Sequence, residues 1–143
     1  MKQNYARIQT IAHECIHSCQ DRFMLLFNVI FSNINIIYFI LISILTVTKV
    51  INNKILQIAI LTLFMLIQFA VRSYLEIDAM TRAKFLAKEY MEKKNVCTKE
   101  EQNILLKEYE KINKQGIPFT VFNLLFNGLI KIAIYTIIAI VIK

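Results

Sequence analysis

The only two histidines of the chain stand one helical turn apart, with a glutamate between them. His13, Glu14 and His17 match the H-E-x-x-H pattern, in which two histidines on one helix face bind zinc and the glutamate acts as general base. A hydrolytic site also needs a third protein ligand and a substrate cleft. No spacing in the sequence specifies that ligand, and Glu76 is one candidate. We therefore predict no enzyme and no cofactor, and keep a small membrane zinc metallopeptidase as an alternative.

The segment that carries this motif, residues 1–22, has the pattern of an amphipathic helix. At 100° per residue its apolar side chains fall on one face and its histidines on the opposite one. The apolar face comprises Ile8, Ile11, Ala12, Cys15 and Cys19. We predict that the histidine face contacts water and that the two cysteines are buried as small apolar groups. A structural metal ion shared between subunits is another use for the histidines.

Polar residues recur inside the three apolar runs of the chain, at helical spacing. They are Asn28, Ser32, Asn35, Ser43 and Thr46 in the first run, Gln57 and Gln68 in the second with Arg72 at its boundary, and Thr120, Asn123, Asn127 and Lys131 in the third. Amide and charged groups are costly where they face lipid, so these stripes must face protein or water. Hydrogen bonds between packed helices would satisfy them. The alternatives are a water-lined path with Lys131 as a ring of positive charge in an oligomer, or a tilted third helix whose lysine reaches the interface.

Three apolar runs position these polar residues: 23–47, 55–72 and 117–142. Each is near or above the ~20 residues that a helix needs to cross a bilayer. Hydrophobic residues make up 57% of the chain, which has two glycines and one proline, and this composition is typical of long uninterrupted helices. We predict an all-α polytopic membrane protein with three transmembrane helices, and a single domain over residues 1–143.

The charged stretch between the second and third runs predicts an αα-hairpin. No glycine or proline interrupts residues 54–94, so the second transmembrane helix is expected to continue to residue 94 as a stalk. A second hairpin helix is expected over 98–116, followed at once by the third transmembrane helix. The signals for these bounds are a turn at Asn95–Cys97, the capping-box pair Thr98 and Glu101, and the helix-ending residues Gly116 and Pro118.

The net charge of +7 comes from an uneven distribution of lysine and arginine. Most of these residues lie in the N-terminal segment and in residues 72–114, whereas the short stretch 48–54 holds only Lys49 and Lys54. The positive-inside rule then places the N-terminus and residues 73–116 in the cytoplasm and the C-terminus outside. The basic excess fits contact with the head groups of the lipid bilayer. No basic-aromatic surface indicates a nucleic-acid partner.

Three segments between residues 64 and 112 carry a resemblance to a known family. They are Phe64–Phe69 leading into Arg72–Tyr74, then Arg82–Tyr90, and then Lys107–Ile112. With the N-terminal amphipathic helix, this layout over about residues 5–112 resembles the SLATT-type two-membrane-helix domain of bacterial conflict systems. The resemblance implies a membrane-perturbing or pore-forming effector that a sensor partner switches on. The third membrane-length segment departs from the family's pattern.

We predict a homo-oligomer, because a ring of copies can hide three polar stripes more easily than three helices can. The predicted function is an oligomeric membrane channel or membrane-permeabilising effector, which the resemblance places in bacterial defence. The residues expected to line the pore or the helix interfaces are Asn28, Ser32, Asn35, Gln57, Gln68, Asn123, Asn127 and Lys131. The alternative is a non-catalytic accessory subunit or immunity-type protein, whose stripes pack against a larger membrane partner.

Overall fold

Helices account for all regular structure in the described part of this chain. The computed structural model describes residues 2–95 and 97–142, and the side chains of residues 7–95 and 97–142. Its helices are α1 (Lys2–Cys19), α2 (Arg22–Val47), α3 (Lys54–Lys94) and α4 (Lys99–Val141). Three of them, α2, α3 and α4, are long and apolar enough to cross a membrane. The predictions of an all-α chain and of three membrane-length helices are confirmed. Val96, the middle residue of the predicted turn at Asn95–Cys97, falls outside the described residues.

Local caps explain why α2 ends and α3 begins where they do. Lys49 adopts a left-handed conformation with a φ of 58°, and the N–H of Val50 donates to the Leu45 carbonyl at 3.0 Å. This hydrogen bond satisfies a carbonyl that the C-terminus of α2 would otherwise leave unpaired. Asn53 then accepts a hydrogen bond of 3.0 Å from the N–H of Leu56 through its Oδ1 atom, which caps the start of α3.

A capping box begins α4. The N–H of Thr98 donates to the Glu101 carboxylate at 2.9 Å, and the N–H of Glu101 donates back to the Thr98 hydroxyl at 3.3 Å. These bonds satisfy two backbone donors that the helix itself leaves open. The backbone N–H and the hydroxyl of Thr98 both donate hydrogen bonds to the ionised Glu101 carboxylate, and these bonds lower the pKa of Glu101.

The predicted helix end at Gly116 and Pro118 is wrong, because α4 continues through both residues to Val141. Gly116 has no positive φ, so it does not form the left-handed turn that closes a helix. Its role is close packing: a Cβ atom at this position would lie 3.0 Å from the terminal methyl of Met80. Pro118 lies inside this helix, where it removes one backbone N–H from the hydrogen-bond ladder without ending the helix.

The internal contacts of the described residues form two compact units. Unit 1 comprises the chain up to Asp21 together with Tyr74–Val121, and unit 2 comprises Arg22–Ser73 together with the chain from Phe122 onwards. Both lie within the single domain that we predict.

Unit 1 is built on a stripe of small side chains along α3. Ala79, Ala83 and Ala87 recur every four residues and are almost fully buried, so they lie on one face of the helix. They form a core cluster with Ile16 of α1 and Tyr109 of α4. The small side chains let the backbones of the neighbouring helices approach closely.

The predicted apolar face of α1 is wrong for most of its residues. Ile11 is 61% exposed, and both Cys15 and Cys19 are exposed rather than buried. The face of α1 that packs against the rest of unit 1 includes Ile16 and also Gln20, which is only 7% exposed. Gln20 can be buried because its amide donates hydrogen bonds to acceptors on α3. The spacing of apolar residues does not predict these partners.

Unit 2 has a small core and a large apolar exterior. Leu61 and Tyr135 are almost inaccessible and form its core cluster with Ile42 and Ala139. Many of the large apolar side chains of α2 are exposed, namely Phe23, Leu26, Val29, Ile30, Ile34, Ile36, Ile37, Ile40, Leu41, Ile44 and Val47. An exterior of this kind is too large for a protein surface in water and fits contact with lipid.

Candidate functional site

A polar cavity lies inside unit 2, between helices whose other side chains are mostly apolar. Its volume is about 80 Å³, which is enough for a few water molecules at roughly 30 Å³ each. The cavity is lined by apolar Leu61, Met65, Phe69, Leu124 and Gly128, and by polar Asn35, Gln68, Arg72, Asn127 and Lys131. Four of these five polar residues were predicted to line a pore or a helix interface. The fifth, Arg72, was predicted to lie at the boundary of the second apolar run.

Hydrogen bonds fix the amides on the α2–α3 side of this cavity. Asn35 donates through Nδ2 to the Oε1 atom of Gln68 at 2.6 Å, and Gln68 donates through Nε2 to the hydroxyl of Ser32 at 2.9 Å. Asn35 is 2% exposed. Its Oδ1 atom is buried and has no hydrogen-bond partner in the described structure. A buried carbonyl oxygen of this kind is suited to accept a hydrogen bond from water in the cavity.

Two cationic side chains complete the cavity. Arg72 comes from α3 and Lys131 from α4, and none of the described residues that line the cavity is acidic. Gly128, one turn before Lys131, allows α4 to come close to α3, because a Cβ atom there would collide with the side chain of Met65. The cavity therefore concentrates positive charge and amide groups without a carboxylate.

The other predicted polar residues do not join this cavity. Gln57 accepts a hydrogen bond of 2.6 Å from the hydroxyl of Tyr38, and Thr46 donates to the Ile42 carbonyl of its own helix. Asn28 keeps a buried Oδ1 atom without a partner in the described structure, and Asn123 is exposed. The predicted stripes thus divide into a cavity group, separate hydrogen bonds at Gln57 and Thr46, and the exposed Asn123.

Three polar residues that hold the helices of unit 2 together were missed. They are Tyr38, Tyr135 and Lys54. Tyr38 donates to Gln57, and the hydroxyl of Tyr135 lies 3.0 Å from that of Thr46. The Nζ atom of Lys54 donates to the Ala139 carbonyl at 2.9 Å and also to the Ile142 carbonyl. A tyrosine inside an apolar run was the available signal, because its buried hydroxyl needs a partner. The partners themselves depend on helix packing and could not be read from the sequence.

The two histidines of the α1 motif lie in unit 1 and are half-buried against α3. The Nε2 atoms of His13 and His17 are 3.1 Å apart, and each lies 3.7 Å from the Oε2 atom of Glu76. The two histidines are therefore half-buried against α3 and not fully solvated as predicted. Glu14 is exposed, so the structure brings together the two histidines and the candidate third ligand without the predicted general base.

Comparison of the chain with protein-family models, with curated proteins and with solved structures gives no match. The resemblance to the SLATT-type domain therefore stays a prediction, and the function has to be argued from the sites themselves.

Proposed function

We propose that this chain assembles into a homo-oligomeric membrane pore that prefers anions, as a channel or a membrane-permeabilising effector. The observation that carries the proposal is the cavity of unit 2, which Arg72 and Lys131 line together with three amide side chains. A polar surface with positive charge and no carboxylate attracts anions, as rings of lysine or arginine do in anion-selective pores.

The position of Lys131 near the middle of the predicted span supports a water-filled path. A lysine at the centre of a bilayer costs about 2.5–3.5 kcal/mol on insertion scales. No carboxylate among the described cavity residues offsets the charge. Water and a mobile anion would together supply the hydration and counter-charge that this ammonium group needs.

The outward amides of α4 support an assembly of several copies. Asn123 and Asn127 are exposed in the single chain although they lie in the apolar half of α4, and Asn127 is exposed even though it also lines the cavity. An amide that faces lipid cannot satisfy its hydrogen bonds. A neighbouring copy, or water inside a ring of copies, would satisfy them, and the same stripe leads to Lys131.

In this proposal unit 1 and the N-terminus face the cytoplasm, because they carry most of the lysine and arginine residues. Cys97 can test this orientation in a chain whose other cysteines, Cys15 and Cys19, are replaced by serine. A membrane-impermeant thiol reagent should label Cys97 only after the cells are opened, whereas Asn52→Cys should label in intact cells. Labelling of Cys97 in intact cells would reverse the proposed orientation.

The assembly and the flux can be measured on the purified protein. We expect a single oligomeric species in detergent, and chloride release from liposomes that contain it. The second candidate function is a non-catalytic accessory or immunity-type subunit, because a larger membrane partner could also satisfy Asn123 and Asn127. A chain that is monomeric in detergent, passes no ions and co-purifies with another membrane protein would replace the pore proposal by this one.

A further inference from the structure

We propose that His13, His17 and Glu76 form a Zn²⁺ site that joins α1 to α3 within unit 1. The three ligand atoms all lie within 4.8 Å of one another, with separations of 3.1, 3.7 and 3.7 Å. Atoms bound to zinc at about 2.0–2.1 Å in a tetrahedron lie roughly 3.3–3.4 Å apart. The observed triangle thus has the size of one face of a zinc coordination shell.

The surroundings of His17 fix which of its ring nitrogens can bind a metal. The amide nitrogen of Gln20 donates to the Leu75 carbonyl at 2.7 Å and to the Asp78 carboxylate at 3.0 Å. The oxygen of the same amide lies 2.9 Å from the Nδ1 atom of His17. Because that oxygen can only accept, Nδ1 carries the hydrogen, and the lone pair of the neutral ring is on Nε2. Metal-binding histidines commonly have this outer hydrogen bond.

Hydrogen bonding alone does not explain the position of Glu76. A bond between His13 and His17 at 3.1 Å would account for the contact of the two rings. The carboxylate, however, lies 3.7 Å from both Nε2 atoms, which is beyond hydrogen-bond distance. A carboxylate that is equally far from two imidazole nitrogens is positioned to share a cation with them.

The ligand set favours zinc and leaves one coordination position open. Two imidazoles and one carboxylate are a common zinc set, and three protein ligands leave the fourth position to water. A cavity of about 290 Å³ that His13 and Glu76 help to line gives water access to the site. Tyr109 lines the same cavity, but burial raises its pKa to about 12. Its hydroxyl therefore keeps its proton and donates to the Gln9 carbonyl.

The site binds a metal in this proposal but is not assigned a hydrolytic reaction. Glu14, the residue that would act as base in the H-E-x-x-H pattern, is exposed, whereas Glu76 occupies the side of the histidines. The expected effect of Zn²⁺ is to tie α1 to α3. The proposal does not depend on the pore, because every ligand belongs to unit 1.

Metal content of the full-length protein tests the site directly. The chain is purified in detergent, stripped with a chelator, dialysed against ZnCl₂ and analysed by mass spectrometry. We expect one Zn²⁺ per chain in the wild type and a loss of most of it in His13→Ala, His17→Ala and Glu76→Gln, since each variant removes one ligand. Glu14→Gln is the matched control, because it changes a glutamate of the same motif and should retain the metal.

A spectroscopic measurement keeps the test independent of folding. Co²⁺ in place of zinc should give the visible absorption band of a four-coordinate ion, and Glu76→Gln should lose that band while its helical circular dichroism stays unchanged. Gln20→Met should weaken binding by about 10- to 100-fold, as expected for an outer hydrogen-bond partner. Wild-type protein that takes up no Zn²⁺, or a Glu76→Gln variant that binds Zn²⁺ as tightly as wild type, would overturn the proposal.

Discussion

Asn35 donates a hydrogen bond of 2.6 Å from its Nδ2 atom to the Oε1 atom of Gln68, while its own oxygen is buried without a hydrogen-bond partner in the described structure. The pair joins α2 to α3 in the apolar part of both helices. Polar contacts between transmembrane helices fix how the helices pack. The same pair forms one side of the cavity, so its geometry decides where the cavity amides point.

The Asn35–Gln68 bond should be measurable as a coupling between two substitutions. Asn35→Leu leaves the Gln68 oxygen without its donor, and Gln68→Leu leaves the Asn35 amide nitrogen without its acceptor, whereas the double variant removes both groups. We expect each single change to destabilise the protein and the double variant to cost less than their sum, by about 0.6–1.7 kcal/mol. Unfolding in detergent micelles measures these differences. Asn33→Leu, which changes an exposed amide of α2, is the control, and strictly additive costs would contradict a direct bond.

Gly128 should tolerate no side chain unless Met65 is shortened. An added Cβ atom would collide with the Met65 side chain, and overpacking of this kind typically costs about 1–3 kcal/mol. Gly128→Ala should therefore lower thermal stability in detergent, and Gly128→Ala with Met65→Ala should recover part of the loss.

Gly116→Ala is the matched glycine variant, and it should have the smaller effect. There the added Cβ atom meets only the terminal methyl of Met80, at 3.0 Å, and a methionine end group can move aside. Alanine is the better helix former at both positions, so equal losses at Gly116 and Gly128 would show that the collision with Met65 does not decide the result.

The reactivity of Cys97 should depend on pH and on Glu101. Burial and then the negative charge of Glu101 raise the pKa of the Cys97 thiol. Since the thiolate is the reactive form, labelling should be slow at neutral pH and should increase as the pH rises toward this raised pKa. Maleimide labelling of a Cys15→Ser, Cys19→Ser chain measures the rate.

Glu101→Gln should accelerate that labelling a few-fold at neutral pH, because it removes the second cause of the shift and keeps a side chain that can form a capping box. Glu100→Gln removes the same charge from the neighbouring position and is the control. A rate that is independent of pH, or equal acceleration by both variants, would show that Glu101 does not act on this thiol.

The large elements of this fold follow from the sequence because bilayer thickness sets the minimum length of an apolar run that spans a membrane. Three apolar runs of about 20 residues or more predict three long helices, and the structure has them. The polar stripes also identified Asn35, Gln68 and Lys131, which line the cavity, because a polar group in an apolar helix must contact protein or water rather than lipid. Both arguments use only one helix at a time.

The incorrect predictions concern features that depend on how two helices pack against each other. The buried face of α1 depends on whether Gln20 finds partners on α3, and the role of Gly116 depends on the proximity of Met80. Neither partner is specified by helical periodicity. The approach of Glu76 to the histidines is of the same kind: the sequence contained the residues, and only the packing of α1 on α3 brought them together.

Ion preference after substitution of Lys131 is the most direct test of the pore. Reversal potentials in bilayers, or paired chloride and potassium flux from liposomes, should show that the wild type prefers chloride. Lys131→Glu should shift that preference toward potassium. Lys131→Met should weaken the preference for chloride while the oligomer keeps its mass, because one of the two charges facing the path is removed and Arg72 remains. Lys111→Met, which removes an exposed lysine from the same helix, should leave the preference unaltered. A wild-type preference for potassium, or an unchanged preference in Lys131→Glu, would contradict the account.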